Sequence, residues 1–287
     1  MFKKLDQYTR FLSRNKSENT VKNYEYQIIK FLEFLEGRGG IDNFTQEVFL
    51  DYIDIMKNKY SPSTIRVHAT SINGFANFLV REGVLESQLF TTSSEMYEFL
   101  PVVNRRKHRA ITREELRKMI KSSNSLLEEC LVRVSYDAAT RVSELVNMKV
   151  SDILSNENGV FVTIKGKGRG GMSKVRVAQL TKETYDKIMK LNKDNNSDYV
   201  FTSELTKRPF STRRIMQIID DLSERAGVKG VTTHSFRSSK ATDLVENGVP
   251  IEYVSEYLGH SSIETTKIYT DLTRKLHEKV GKFQMSL

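Results

Sequence analysis

The stretch Thr233-His234-Ser235-Phe236-Arg237 opens a three-part pattern near the C-terminus that decides the fold. The second part is Tyr257-Leu258-Gly259-His260, and the third is Thr265-Thr266-Lys267-Ile268-Tyr269, whose tyrosine follows the second histidine after nine residues. A lone H-x-x-R is worth little as a signal, and a lone tyrosine at helical spacing is usually a core residue. The order and spacing of the three parts together are what make the pattern specific.

Two upstream motifs extend this pattern. They are Thr140-Arg141-Val142-Ser143-Glu144-Leu145 and the glycine-rich Lys165-Gly166-Lys167-Gly168. From about residue 110 to the C-terminus, the chain closely resembles the tyrosine recombinase (phage integrase) family, and its compact plan is similar to the Xer proteins of that family. The resemblance implies a mainly α-helical protein with a small β-hairpin or sheet. It would have two domains, an N-terminal helical core-binding (SAM-like) bundle and a C-terminal tyrosine-recombinase catalytic domain.

The resemblance also implies an active site on a scissile DNA phosphate. Its catalytic residues would be Arg141, Lys167, His234, Arg237, His260 and Tyr269. Attack by a tyrosine oxygen builds negative charge on the non-bridging phosphate oxygens, and fixed donors around them lower the barrier. Guanidinium groups bind such oxygens bidentately and stay charged, which suits Arg141 and Arg237.

Proton transfer requires further groups. A tyrosine hydroxyl is mostly protonated at neutral pH, because its ordinary pKa is about 10. Tyr269 therefore needs a base, and His234 is the candidate. The resemblance assigns to Lys167 the protonation of the departing 5′-oxygen, and to His260 a further hydrogen bond to the phosphate.

Neighbouring residues leave alternatives open. Lys165 and Lys174 are alternatives to Lys167 as the general acid of the hairpin. Tyr253 and Tyr257 are alternative nucleophiles to Tyr269. Both of these tyrosines precede His260, and we expect them to pack in the core. Glu144 follows Arg141 by one helical turn, where a carboxylate can orient the guanidinium, so we expect a supporting role.

Periodicity indicates how the chain is organised. Apolar residues recur three and four apart between Ser17 and Leu35, a second helix is predicted near Gln46 to Lys57, and a third begins at Ser61-Pro62. The pattern predicts an N-terminal helical domain over residues 1–92, a basic linker over 93–109 and a catalytic domain over 110–287 with a C-terminal helix for protomer contacts. Two segments rich in β-branched residues, 160–164 and 174–180, flank the glycine-rich turn and predict a β-hairpin.

Composition favours a nucleic-acid partner. Forty-five Lys plus Arg against 36 Asp plus Glu give a formal charge of +9, with an isoelectric point near 9.4. Basic groups of the hairpin, Arg176 among them, are expected to face DNA. The DNA-binding candidates are Arg105, Arg106, Lys107, Lys165, Arg169, Lys174, Arg213 and Arg214.

Other classes of site and location are disfavoured. No apolar run is long enough to span a membrane, and charges interrupt the N-terminus, so we expect a cytoplasmic protein without membrane contact. We read Cys130 as a core residue, since it falls in the apolar rhythm of its segment. No acidic cluster for a metal is evident, and the phosphotyrosyl bond would conserve the energy of the broken linkage, so we predict no metal, ATP or other cofactor.

The resemblance implies a definite reaction and assembly. Four protomers would act on two double-stranded DNA sites with inverted repeats, through a 3′-phosphotyrosyl intermediate and a Holliday junction, with an accessory protein as a possible partner. Two biological roles stay open: Xer-like dimer resolution, which the compact plan favours, and integration or excision of a mobile element. A type IB topoisomerase-like enzyme and a non-catalytic DNA-binding regulator are the alternatives from other classes.

Overall fold

The computed structural model describes residues 2–103, 109–167, 173–193 and 197–259, with only the backbone described for 167, 173 and 174. The chain forms two compact units, divided between the described ranges that end at residue 103 and begin at residue 109. The N-terminal unit is helical throughout its described part. Its helices are α1 (Phe2–Ser13), α2 (Glu18–Glu36), a 3-10 helix (Gly40–Asn43), α3 (Gln46–Lys57), α4 (Pro62–Arg81) and α5 (Ser93–Glu98).

Local sequence explains where the long helices start. The side chains of Ser17, Thr45 and Ser61 each accept a hydrogen bond from the backbone N–H three residues later, which satisfies a donor that the first turn leaves open. Pro62 follows its cap at the first helical position, where its missing N–H costs nothing. The apolar faces then meet in one core, in which Phe31, Phe49 and Phe75 are fully buried. The predicted helical bundle is confirmed.

Helix α5 lies within the stretch expected as linker. Thr92 caps it, and Met96 and Leu100 are buried in the N-terminal core. The N-terminal core therefore extends beyond residue 92, and the basic residues Arg105, Arg106 and Lys107 of the expected linker lie outside the described residues.

The C-terminal unit is mainly helical with one small sheet. Its elements are α6 (Arg113–Lys121), α7 (Leu126–Asp137), α8 (Val142–Val146), a 3-10 helix (Val150–Asp152), β1 (Ile153–Asn156), β2 (Gly159–Lys167), β3 (Ser173–Leu180), α9 (Lys182–Asn192), α10 (Thr212–Arg225), α11 (Thr233–Glu246) and α12 (Ile251–Leu258). Helix α7 lies at the centre, in contact with α6, α9, α10 and α11. Cys130 on α7 is fully buried, and burial raises the pKa of its thiol to about 12, so the prediction of a core cysteine is confirmed.

The sheet confirms the predicted hairpin and adds a strand to it. Strands β1, β2 and β3 are antiparallel in that order, with Val162 opposite both Ile153 and Ala178. Pairing of β2 with β3 continues to Lys167, so the strand runs through Gly166, where the turn was expected to begin. The four-residue β1 is mostly exposed and too short to show an alternating pattern in the sequence.

None of the described helices combines the length and the apolar character needed to cross a membrane.

Candidate active site

Arg141 and Glu144 are joined at the start of helix α8. Arg141 caps this helix, and its backbone N–H donates to Glu144 Oε2 at 2.9 Å while its Nη1 donates to Glu144 Oε1 at 2.7 Å. Glu144 is buried, whereas 37% of the Arg141 side chain is exposed. The carboxylate thus holds the guanidinium from the inside and leaves an outer side open to a ligand. This is the contact expected for Glu144.

The turn before Arg141 is tightly constrained. Ala139 adopts a left-handed conformation with φ of +47°, which is uncommon for a residue other than glycine. Its carbonyl oxygen accepts hydrogen bonds from two buried arginines, Arg176 Nη2 at 3.2 Å and Arg237 Nη1 at 2.8 Å. These bonds compensate for the unfavourable backbone and fix where helix α8 begins.

Arg237 is the predicted arginine of the H-x-x-R motif on α11. It is only 3% exposed, and its Nη2 donates to the carbonyl oxygen of Leu258. Its two described bonds thereby tie the turn at Ala139 to the end of α12. His234 lies three residues earlier, in the first turn of α11, and is exposed. The helix brings these two predicted residues close together, since positions i and i+3 are neighbours on a helix.

Arg176 was expected to face DNA, and that expectation is wrong. The side chain is only 9% exposed and lies inside the domain, where it donates to main-chain carbonyls and to Glu144 Oε2 at 3.0 Å. Alternation along β3 gives no clear signal for this, because Ala178 and Leu180 share the face of Arg176 and are buried, whereas the apolar Val175 and Val177 lie on the opposite, exposed face. Sequence reasoning therefore missed a buried arginine that contacts the groups holding both predicted catalytic arginines.

The end of α12 contributes the glycine of the L-G-H motif. Gly259 has φ of +63°, and its N–H donates to Glu256 O at 2.8 Å. A Cβ atom placed there would lie 2.9 Å from Cδ of Arg176, so packing as well as backbone conformation requires glycine. His260 follows directly in the sequence. His260 and Tyr269 lie outside the described residues, as does the side chain of Lys167.

Charges explain why this cluster suits a phosphate. Burial by itself raises the pKa of Glu144, but the positive charge of Arg176 and the hydrogen bonds from Arg141 outweigh it, so the pKa lies below its ordinary value. The acid is therefore ionised at neutral pH. The described bonds of Arg237 go to the main-chain carbonyl oxygens of Ala139 and Leu258.

The two alternative tyrosines differ from each other. Tyr257 is mostly buried, its hydroxyl donates to Asp137 O at 2.5 Å, and burial raises its pKa to about 12. Such a hydroxyl is poorly suited to attack. Tyr253 is 64% exposed, so the expectation that it packs in the core is wrong. Helical periodicity places Tyr253 on the same face of α12 as Tyr257, one turn earlier. It does not show whether the elements that cover Tyr257 also reach Tyr253.

The described DNA-binding candidates lie on the surface. Lys165 is paired with Asp152 at 2.7 Å, which engages its ammonium group, and Arg213 and Arg214 are exposed in the first turn of α10. Arg169 and the side chain of Lys174 lie outside the described residues. Within the described ranges, no group of three or more histidine, cysteine, aspartate or glutamate residues is arranged to hold a metal ion.

Comparisons with known families cover both units. Residues 109–275 match the phage integrase family, and residues 5–83 match the phage integrase N-terminal SAM-like domain. Tyrosine recombinase XerA of Pyrococcus horikoshii is 28% identical over 288 residues, covering 98% of this chain and 93% of the relative. Tyrosine recombinase XerA of Thermococcus kodakarensis is 30% identical, covering 92% and 90% of the two chains.

Solved structures show the same fold. XerH site-specific recombinase in a post-cleavage complex with palindromic difH superimposes with a TM-score of 0.73 at 17% identity, covering 92% of this chain and 79% of that one. A lambda integrase dimer bound to a COC′ core site gives a TM-score of 0.72 at 16% identity, covering 96% and 78%. With the family match extending over more than half of the chain, the protein belongs to the phage integrase family and is a site-specific tyrosine recombinase, an enzyme that transfers DNA strands.

Proposed function

We propose that this recombinase is Xer-like, and that it cleaves duplex DNA at inverted-repeat sites with Tyr269 as its nucleophile. The observation that carries the proposal is the buried contact of Glu144 with Arg141, together with the carbonyl of Ala139 that holds Arg237. These contacts bring two arginines from distant parts of the sequence to one turn. Two guanidinium groups at one place are what a phosphate in a strand-transfer reaction requires.

In the proposed reaction, a phosphotyrosyl bond replaces the bond from phosphorus to the 5′-oxygen. His234 accepts the proton of the Tyr269 hydroxyl as its oxygen attacks phosphorus, and the bond from phosphorus to the 5′-oxygen breaks. Lys167 gives a proton to that oxygen, which leaves a 3′-phosphotyrosyl bond and a free 5′-hydroxyl. Arg141, Arg237 and His260 hold the non-bridging oxygens. Attack by the 5′-hydroxyl of the other duplex reverses these steps and joins the exchanged strands.

The proposed partners are double-stranded DNA and further copies of the chain. A lambda integrase tetramer bound to a Holliday junction shares this fold with a TM-score of 0.69. We propose the same number of protomers for this recombinase, which exchange two strands, form a Holliday junction and resolve it in the cytoplasm. An accessory protein is an additional proposed partner.

Dimer resolution is the proposed biological role, and mobile-element integration or excision is the alternative. Relatives named XerA and XerD align over more than nine tenths of this chain. Deleting the gene separates the two roles. Chromosome or plasmid dimers that accumulate in the deletion strain would support resolution, whereas loss of a circular junction from an excised element would support mobility.

A suicide substrate tests the nucleophile. Duplexes nicked near candidate inverted repeats trap the covalent adduct, and wild type is compared with Tyr269→Phe on denaturing gels. We expect an adduct with wild type that disappears in the variant. An equal adduct in both would reject Tyr269 and redirect attention to the exposed Tyr253 or to Tyr257.

A further inference from the structure

We propose that Arg176 is a positioning residue for strand cleavage, one that sets the orientation of both catalytic arginines and of the chain that enters His260. The inference rests on the proposed roles of Arg141, Arg237 and His260. Arg176 itself is buried and does not touch the phosphate in this proposal. It acts through the groups that hold the catalytic residues.

Arg176, on strand β3, bonds to two other segments of the chain. Its Nη1 donates to Ala138 O and to Tyr257 O, both at 2.9 Å, and its Nη2 donates to Ala139 O at 3.2 Å and to Glu144 Oε2 at 3.0 Å. The acceptors therefore belong to the turn before α8, to α8 itself and to the last turn of α12. One planar guanidinium group thus fixes β3 relative to two segments, one that carries Arg141 and one that leads to His260.

The link to Arg141 passes through one carboxylate. Glu144 Oε2 accepts from Arg176 and from the backbone N–H of Arg141, while Oε1 accepts from the Arg141 guanidinium. The charge of Arg176 also contributes to the lowered pKa of this acid. Loss of Arg176 would leave Glu144 with a single cationic partner and let its carboxylate rotate. Arg141 would rotate with it.

The links to Arg237 and His260 pass through the backbone. Ala139 O is shared by Arg176 and Arg237, so a shift of this carbonyl moves the anchor of the second catalytic arginine. On the opposite side, the stem of Arg176 fills the space beside Gly259, where even a Cβ would come within 2.9 Å of its Cδ. The residue before His260 is therefore packed directly against this arginine.

Lysine cannot reproduce these contacts. A guanidinium presents donors in a fixed plane on two terminal nitrogens, and here each terminal nitrogen serves two acceptors. An ammonium is a point charge with three donors. Arg176→Lys therefore keeps the charge that Glu144 requires but loses the fork, and Arg176→Met loses both while keeping most of the apolar stem.

The test separates positioning from folding. Arg133 provides matched controls, since it is also largely buried and is paired with Glu129 and Glu183. We would compare three properties: thermal unfolding, DNA affinity and the first-order rate of adduct formation at saturating suicide substrate. The proteins compared are wild type, Arg176→Lys, Arg176→Met, Arg133→Lys and Arg133→Met. We expect Arg176→Lys to bind DNA as wild type does but to form the adduct about 100-fold more slowly, the scale of loss for a misplaced catalytic group. The Arg133 variants should lose stability without loss of this rate.

A neutral substrate distinguishes positioning from a purely structural role, because a structural defect would slow cleavage of neutral and charged substrates equally. A methylphosphonate at the scissile position removes the charge that Arg141 and Arg237 stabilise. If Arg176 acts by orienting them, the ratio of wild-type to Arg176→Lys rates falls several-fold on the methylphosphonate relative to the phosphate. An equal ratio on both substrates, or a rate for Arg176→Lys equal to that of wild type, would overturn the proposal. Failure of the proposed function looks different, because wild type would then form no adduct or Tyr269→Phe would retain one.

Discussion

Glu144 is the residue on which the two arginines of α8 and β3 converge. Burial of its carboxylate opposes ionisation, yet Arg176 and Arg141 hold its pKa below the ordinary value. Because the folded-state pKa lies below that of the unfolded chain, the ionised acid stabilises the fold above the unfolded value. That contribution is lost as the pH falls through the folded pKa.

Replacing this acid should therefore cost both stability and rate. We expect Glu144→Gln to lower the free energy of unfolding by about 3 kcal/mol at neutral pH, because a buried cation loses its charged partner. Below the folded pKa the difference from wild type should shrink. Urea unfolding across pH measures the first effect, and adduct formation at saturating DNA should show a slower rate for the variant.

Glu129 supplies the matched control. It bonds to Arg133 at 2.9 Å and to Lys187 at 3.0 Å, and these bonds lower its pKa against the opposing effect of burial. Glu129→Gln should lower stability without slowing adduct formation. If both variants lost rate in proportion to stability, Glu144 would be a structural acid only.

At the scale of elements, the end of α12 determines how the chain approaches His260. Gly259 and Gly248 both have positive φ and both follow helices, at +63° and +84°. They differ in their surroundings, because a Cβ at 259 meets Arg176 at 2.9 Å whereas a Cβ at 248 meets nothing within 4 Å. Substitutions at Gly248 and Gly259 therefore distinguish the effect of backbone strain alone from the effect of strain together with displacement of Arg176.

We expect Gly248→Ala to cost about 1 kcal/mol from left-handed strain and to leave adduct formation unchanged. Gly259→Ala should cost more and also slow adduct formation, because the Arg176 stem must shift. Chemical denaturation and suicide-substrate kinetics measure the two quantities. Equal behaviour of the two variants would show that packing against Arg176 has no part in cleavage.

For the whole molecule, helical periodicity and capping residues predicted most of the architecture. The start at Ser61-Pro62, where Ser61 caps α4 and Pro62 takes its first helical position, depends only on neighbours in the sequence. The candidate site residues were predicted from their resemblance to short motifs of the family, which have a fixed order in the sequence. Local patterns are sufficient wherever the physical cause is local.

What could not be predicted depends on contacts between distant segments. The inward direction of Arg176 requires acceptors from residues 138–144 and from the end of α12, which are remote in sequence. Exposure of Tyr253 likewise depends on where neighbouring elements end. A basic residue in a basic hairpin resembles a DNA ligand in the sequence. Its inward direction becomes evident only when the alternation of side chains along the strand is combined with the burial of its neighbours in the structure.

The first turn of α10 is a candidate contact with the DNA backbone. Arg213 and Arg214 lie in the first turn of α10, and this first turn contains no acidic residue. The positive end of the helix dipole disfavours cations there, so these side chains slightly lower the free energy of unfolding of the DNA-free protein. The same position suits the binding of a DNA phosphate. We expect Arg213→Ala to raise the free energy of unfolding by about 0.5 kcal/mol.

The same variant should bind DNA more weakly at every sequence. The slope of the logarithm of the binding constant against the logarithm of salt concentration should fall by about 1, the effect of one lost phosphate contact. Arg133→Met removes the same charge from a residue already paired with Glu129 and Glu183, so its slope should match that of wild type. Fluorescence anisotropy across a salt series measures both slopes, and an unchanged slope for Arg213→Ala would place the DNA backbone away from the first turn of α10.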